Sequence, residues 1–382
     1  MARQYAMQVE WSDGSGECGF NDLLGKRVRV HGLKARPELN DAVGRVYSFD
    51  HDKGRAGVHL DNGGPGLWVK PCNLLEVSDT PLQVSPELME RKTVGFAPGQ
   101  AVSLAYRWHS APSTTASVMP LVCLHGSLCD SSFYDALDAQ LPGYRALCID
   151  LPGHGASDRI SDDAEASAPT ELMAMATAVR NLLEALGVTR TEWALAGHSL
   201  GGTVALLLIE LLASARGDER LPGSFTSFEG NATPACCATD GLARRVAAMP
   251  QPPSELEILQ MVANEPVWHA SAQRVGESVG RLAHRIFTSL VKWCDGSNKL
   301  DGICLEQMQR RVPLRYVYGA MSGKYHEANR AAHADHPNAE AAGVEGAGHF
   351  MLTDRPDDTV AALRRLLASG QPEPGQEMEH SM

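Results

Sequence analysis

The chain has 382 residues, 43% of them hydrophobic and 21% charged, which excludes an intrinsically disordered protein and leaves ample material for a core. This length fits one domain larger than the common size together with something small. Lys+Arg 34 against Asp+Glu 46 gives a net charge of −12, which disfavours nucleic acid or an anionic membrane as main partner, because both need an electropositive face.

In chain order, residues 1–22 carry little pattern and read as a flexible lead-in. Residues 23–78 alternate apolar and polar side chains in short runs: Lys26-Arg27-Val28-Arg29-Val30, Ala42–Tyr47, Gly54–Leu60 and Gly66–Lys70. An Asp61-Asn62-Gly63-Gly64 turn separates the last two, as in a small antiparallel all-β barrel. The order of Val28-Arg29-Val30-His31-Gly32-Leu33, the Arg36–Asn40 loop, Gly44-Arg45-Val46 and the closing Lys70–Leu74 resembles Src-homology-like barrels. That resemblance implies either a peptide-binding module with a protein partner or a structural appendage. Residues 79–92, rich in Ser, Pro and Glu, read as a linker.

From 93 to 369 strands alternate with helices, the pattern of an α/β domain whose mostly parallel sheet is flanked by helices. Thr93–Phe96 and Ala101–Trp108 predict an antiparallel opening pair. Strands follow at Pro120–Leu124, Arg145–Ile149, Trp193–Ala196, Ser224–Phe228, Leu314–Tyr318 and Glu340–Val344. Helices are predicted over Ser132–Leu141, Thr170–Leu186, Gly201–Ala215 and Asp357–Leu367. Residues 231–310 interrupt the sheet between two strands and read as a helical cap containing Met249, Leu259, Met261, Trp268, Phe287 and Trp293. Such a cap suits a mostly apolar pocket for a small-molecule substrate. The tail, 370–382, reads as disordered.

Gly197-His198-Ser199-Leu200-Gly201 lies between a predicted strand and a predicted helix. A tight turn there projects a serine above the sheet, and a Cβ at 197 or 201 would clash across it. The plain alternative is a glycine-rich turn whose serine caps the helix. A serine nucleophile needs a base, and the base an orienting acid. Gly346-Ala347-Gly348-His349-Phe350 follows the last strand, so His349 can reach back over the sheet to Ser199.

With Leu124-His125-Gly126-Ser127-Leu128 after one strand and Asp150-Leu151-Pro152-Gly153-His154-Gly155-Ala156-Ser157-Asp158 after the next, residues 93–368 resemble the α/β-hydrolase superfamily. The resemblance implies that the amides of Ser127 and Leu200 form the oxyanion hole. It also implies that His125, His198, Trp268 and Phe350 border the substrate. The acid departs from the usual pattern: Gly319-Ala320-Met321-Ser322 offers no carboxylate before Glu327. Glu229-Gly230-Asn231, one strand earlier, resembles the variant whose acid sits there. Glu229 is the expected acid; Glu327 or another late carboxylate, a dyad, or a purely structural Glu229 remain open.

No apolar run reaches the ~18 residues of a membrane span; the longest, Val204–Leu212, is broken by Glu210. Met1–Glu10 lacks the apolar segment of a secretory signal. The nine cysteines contain no Cys-x-x-Cys pair, which fits a cytoplasmic protein without a zinc finger or redox dithiol. No phosphate loop is present, and the expectation is an enzyme without metal or cofactor. The residues thus predict a serine esterase acting on an ester, thioester or lactone. C–C bond hydrolysis or lyase chemistry on the same side chains is the first alternative, and a non-catalytic ligand-binding or scaffold protein the second.

Overall fold

The computed structural model describes residues 23, 26–50, 53–60, 67–76, 89–109, 118–138, 140–160, 171–214, 220–230, 242–254, 257, 279–294, 312–322, 331 and 339–369. The alternating N-terminal runs form β1 (Arg27–Val30), β2 (Val43–Asp50), β3 (Arg55–Leu60), β4 (Leu67–Val69) and β5 (Leu74–Glu76). They make one antiparallel five-stranded sheet in the order β4-β3-β2-β1-β5, with a 3-10 turn at Pro71–Asn73 leading into β5. Period-two alternation places Val28, Val30, Val46, Ala56, Val58, Leu60, Val69 and Leu74 in a core of their own with Leu23. Among the described residues no β4–β5 ladder closes this sheet into a barrel.

The second sheet has eight strands: β6 (Glu90–Ala97), β7 (Gln100–Trp108), β8 (Met119–Leu124), β9 (Tyr144–Ile149), β10 (Ala194–His198), β11 (Phe225–Phe228), β12 (Leu314–Gly319) and β13 (Ala339–Val344). Their order is β13-β12-β11-β10-β8-β9-β7-β6, all parallel except β7, which runs against both of its neighbours. β6 starts at Glu90, inside the segment read as linker. β10 runs on to His198 because Gly197 and His198 still find ladder partners in Ser227 and Phe228 of β11.

Side chains alternate across this sheet into two cores. Val122, Leu124, Leu147, Ile149 and Leu195 face α1 (Glu171–Ala185) and α2 (Leu200–Ser214). Leu121, Cys123, Ala146, Cys148, Ala194 and Ala196 face the other layer. That layer holds a 3-10 turn at Ser131–Leu137, where an α-helix was expected, and the C-terminal helices. A short segment closed off by Pro142-Gly143 has no length for further turns.

Between β11 and β12 the chain supplies α3 (Leu242–Ala247) and α4 (Val279–Cys294). The apolar stripe of α4, Leu282, Ala283, Ile286, Phe287 and Leu290, joins the α1/α2 core. Arg285 of α4 pairs with Glu171 of α1 at 2.9 Å, both largely buried. Much of the expected 231–310 cap lies outside the described residues, as do the tail and the lead-in. After β13 come α5 (Met351–Asp354) and α6 (Pro356–Ser369).

Because the N-terminal sheet has its own core, deleting residues 1–88 should leave a hydrolase-like domain that unfolds in one cooperative transition. Urea denaturation followed by circular dichroism checks this. Loss of the transition would show that the second sheet depends on the first.

Candidate active site

The strand-to-helix turn after β10 is tight enough to require its glycines. A Cβ at Gly197 would lie 2.6 Å from the Gly201 carbonyl oxygen, and one at Gly201 would collide with the carbonyls of Leu124 and His125. Ser199 sits at the apex with φ 49, a left-handed conformation that costs a side-chain-bearing residue of order 1 kcal/mol or more. Its amide donates to the Phe228 carbonyl at 3.1 Å, and its own carbonyl accepts the Gly202 and Thr203 amides that open α2. The Ser199 side chain is half-buried.

One strand over, the same geometry recurs. Glu229 follows β11 with φ 47, and its amide donates to the Val317 carbonyl at 3.1 Å. Gly230 and Gly202 pass so closely that a Cβ on Gly230 would come within 2.8 Å of the Gly202 Cα. The Glu229 carboxylate is buried and accepts two hydrogen bonds from described residues. The Gly319 amide at the end of β12 donates to Oε1 at 2.7 Å, and His349 Nδ1 donates to Oε2 at 2.7 Å. Nδ1 of His349 therefore carries a proton.

The loop carrying His349 is itself pinned. The Met321 amide donates to the Ala347 carbonyl, and the Gly348 amide donates to Asp354 Oδ2 at 2.9 Å. A Cβ on Gly319 would collide with the Ala347 and Gly348 carbonyls, so the end of β12 is glycine for contact reasons. No hydrogen bond joins the Ser199 hydroxyl to a described residue. Such contacts commonly tighten only when substrate is bound.

On the other side of Ser199, the loop after β8 approaches closely: a Cβ on Gly126 would lie 3.2 Å from the Ser199 Cβ. His125 donates from Nδ1 to the Gly126 carbonyl at 2.8 Å and accepts the Leu151 amide on Nε2 at 2.9 Å. Both ring nitrogens are engaged by backbone, and burial lowers its pKa. Leu128 takes φ 61 to turn the loop. The amides of Ser127 and Leu200 donate to no described carbonyl, and Leu200 opens α2, where the amide has no helical acceptor.

Asp150 was quoted within a motif but given no role. The structure makes it an anchor: Oδ1 accepts the Ser131 amide at 2.7 Å and Oδ2 the Ala156 amide at 2.8 Å. A Cβ on Gly155, at φ 54, would overlap that carboxylate, and this glycine was the available signal. Asp354 had no sequence signal beyond its place in the first helical turn after His349. Of the residues expected to border substrate, His198 and Phe350 are buried, His198 stacked on Phe133 and Phe350 meeting it edge-on. Trp268 and the alternative acid Glu327 lie outside the described residues.

Three fully buried histidines stay neutral in this fold. Burial holds His125 and His198 below the ordinary imidazole value, and His154 is driven down to about 3, with His125 and Arg285 adding to its burial. In the unfolded chain these rings titrate near ~6.5. Stability is therefore fully present above that pH and declines as pH falls, by up to about 1.4 kcal/mol per pH unit for each ring. Urea midpoints at pH 7, 6 and 5 should fall steadily. A flat profile would mean that these rings are protonated in the folded protein.

A model of the alpha/beta hydrolase family matches residues 121–363. Over 114 residues the chain is 33% identical to a human serine hydrolase-like protein, covering 28% of this chain and 53% of that protein. Over 86 residues it is 40% identical to 2-succinyl-6-hydroxy-2,4-cyclohexadiene-1-carboxylate synthase of Enterobacter sp. (strain 638), covering 22% and 30%. The chain thus spans about half, or less, of the length of these curated relatives. Among solved structures, an esterase from Thermogutta terrifontis matches with a TM-score of 0.53 at 18% identity, over 74% of this chain and all of that one. An N-acyl homoserine lactonase, AidH, matches at 0.52 and 17%, over 77% of this chain and all of that one. At such identities the likeness is one of fold. The family match takes in more than half of the sequence, from the strand before the Gly126 loop to the last helix, and the chain belongs to the alpha/beta hydrolase family.

Proposed function

We propose that this protein is a serine hydrolase that cleaves a small, largely apolar ester, thioester or lactone through an acyl-enzyme. The observation that carries this reading is the buried Glu229–His349 bond, which holds the imidazole in the tautomer a general base requires. His349 Nε2 accepts the Ser199 proton as Oγ attacks the acyl carbon. Negative charge on the tetrahedral oxygen is met by the Ser127 and Leu200 amides and by the N-terminus of α2. His349, now imidazolium beside Glu229, returns its proton to the leaving alcohol or thiol. A water then takes the place of that group, and the same steps release the acid. The proton bond between Ser199 and His349 forms when substrate excludes water from the turn.

The human relative's name supports a serine nucleophile, and the esterase and lactonase names fit the proposed bond class. The apolar composition of the insertion between β11 and β12 supports a largely apolar substrate. A second reading, C–C bond hydrolysis or lyase chemistry on the same residues, is favoured by the match to the synthase. For the N-terminal sheet we propose closure into a barrel that binds a protein partner, supported by its strand order and by the 3-10 turn before β5. The free thiols of Cys72, Cys123 and Cys148 support a cytoplasmic setting.

The test is turnover of a short p-nitrophenyl ester together with fluorophosphonate labelling. S199A should lose on the order of 10³-fold or more in kcat and all labelling, with thermal unfolding nearly unmoved. Activity of S199A within about tenfold of the wild type would remove Ser199 from the reaction. Labelling at Ser199 without ester turnover would select the C–C reading, and no labelling at all would select the non-catalytic one.

A further inference from the structure

We propose that His198 is a positioning residue that locks the loop carrying the base to the loop carrying the oxyanion donor, an inference that rests on the hydrolase reading above. The two loops follow β13 and β8, which lie in different parts of the sheet, with β10 adjoining β8 and separated from β13 by two strands. His198 ends β10, is fully buried, and touches both loops.

Toward one loop, Nε2 donates to the backbone carbonyl of His349 itself at 2.9 Å. That bond places the ring proton on Nε2 and leaves Nδ1 as a bare lone pair. Toward the other loop, Nδ1 has no hydrogen-bond partner and lies against Gly126, where a Cβ would come within 2.5 Å of it. The ring is also packed between aromatic neighbours, stacked on Phe133 at 4.2 Å and with Phe350 tilted against it at 5.3 Å. It is a rigid spacer of fixed tautomer.

Burial disfavours the charged form of His198, and so does any charge on His349, whose ring lies 4.6 Å away. His198 thus remains a neutral donor while its neighbour takes up and releases the serine proton. A charged spacer would repel the imidazolium that Glu229 stabilises. Loss of the donor removes this constraint on the His349 carbonyl and loosens the ring it carries relative to Gly126, while Glu229, Asp354 and the Met321 amide still hold the loop. An error of about 1 Å in such a group costs on the order of 10²-fold in rate.

Three variants separate a donor from mere packing. H198F keeps a flat ring without the donor. H198Q places an amide nitrogen near the position of Nε2, while H198N stops short of it. The readouts are kcat and KM on the p-nitrophenyl ester and the low-field proton resonance of the His349–Glu229 bond, all on the full chain. H198F and H198N should lose about 10²-fold in kcat with KM within about twofold, and the low-field proton should broaden or vanish. H198Q should recover at least about tenfold of that loss and restore the resonance. If H198F keeps kcat within about threefold of the wild type with its resonance intact, or if H198Q is no better than H198N, the proposal is wrong. Should H198F fail to fold, the comparison of H198Q with H198N decides alone. The resonance is read without substrate, so absence of ester turnover in the wild type overturns the ester reading, while the resonance still decides the role of His198.

Discussion

A carboxylate removed from water must have its charge met by hydrogen bonds, and among the described residues Glu229 finds a donor for each oxygen. One donor is the Gly319 amide at the end of a neighbouring strand, and the other is Nδ1 of His349. Three chain segments far apart in sequence are thereby tied at one buried point. The pairing of β11 with β12 brings the first donor, and the loop after β13 brings the second. The missing Cβ at Gly319 lets that loop settle close enough to reach. Loss of either donor would leave part of a buried charge less well compensated, so the packing of these segments and the placement of the His349 ring depend on the same contact.

The side chains proposed for catalysis are carried on strain. Ser199 and Glu229 take left-handed backbone conformations at the ends of adjacent parallel strands, and each amide is caught by a carbonyl of the next strand. Neither residue gains from this geometry on its own account. What holds them is the surrounding packing: two cores filled by alternating side chains of the same sheet, with α1, α2 and α4 on one face and the C-terminal helices on the other. Small deformations of the sheet are resisted from both sides, which keeps the short bonds at its edge in register.

Much of this was legible in the sequence for definite reasons. Alternating and continuous apolar runs placed the eight strands of the large sheet to within a few residues, and the glycines around Ser199 announced a turn too tight for any other residue. Glu229 is the expected acid because of a gap: Gly319-Ala320-Met321-Ser322 carries no carboxylate where one was expected, and the preceding strand end does. What stayed hidden was long-range. The bond from His198 to the His349 carbonyl spans 151 positions, and nothing local distinguishes that histidine from one facing substrate. Asp354 is likewise an ordinary first-turn acid until the fold sets it against the Gly348 amide. The 3-10 turn at Ser131–Leu137 differs from the predicted helix because chain length, which periodicity does not weigh, limits it.

The central claim is that Glu229 acts through His349 and not independently. A double-mutant cycle in kcat tests it: E229Q, H349A and the double variant on one ester. The account predicts that E229Q alone loses about 10²–10⁴-fold and that adding it to H349A costs little more, since the carboxylate has nothing left to orient. Additive losses in the double variant, or an E229Q enzyme close to the wild type, would contradict it.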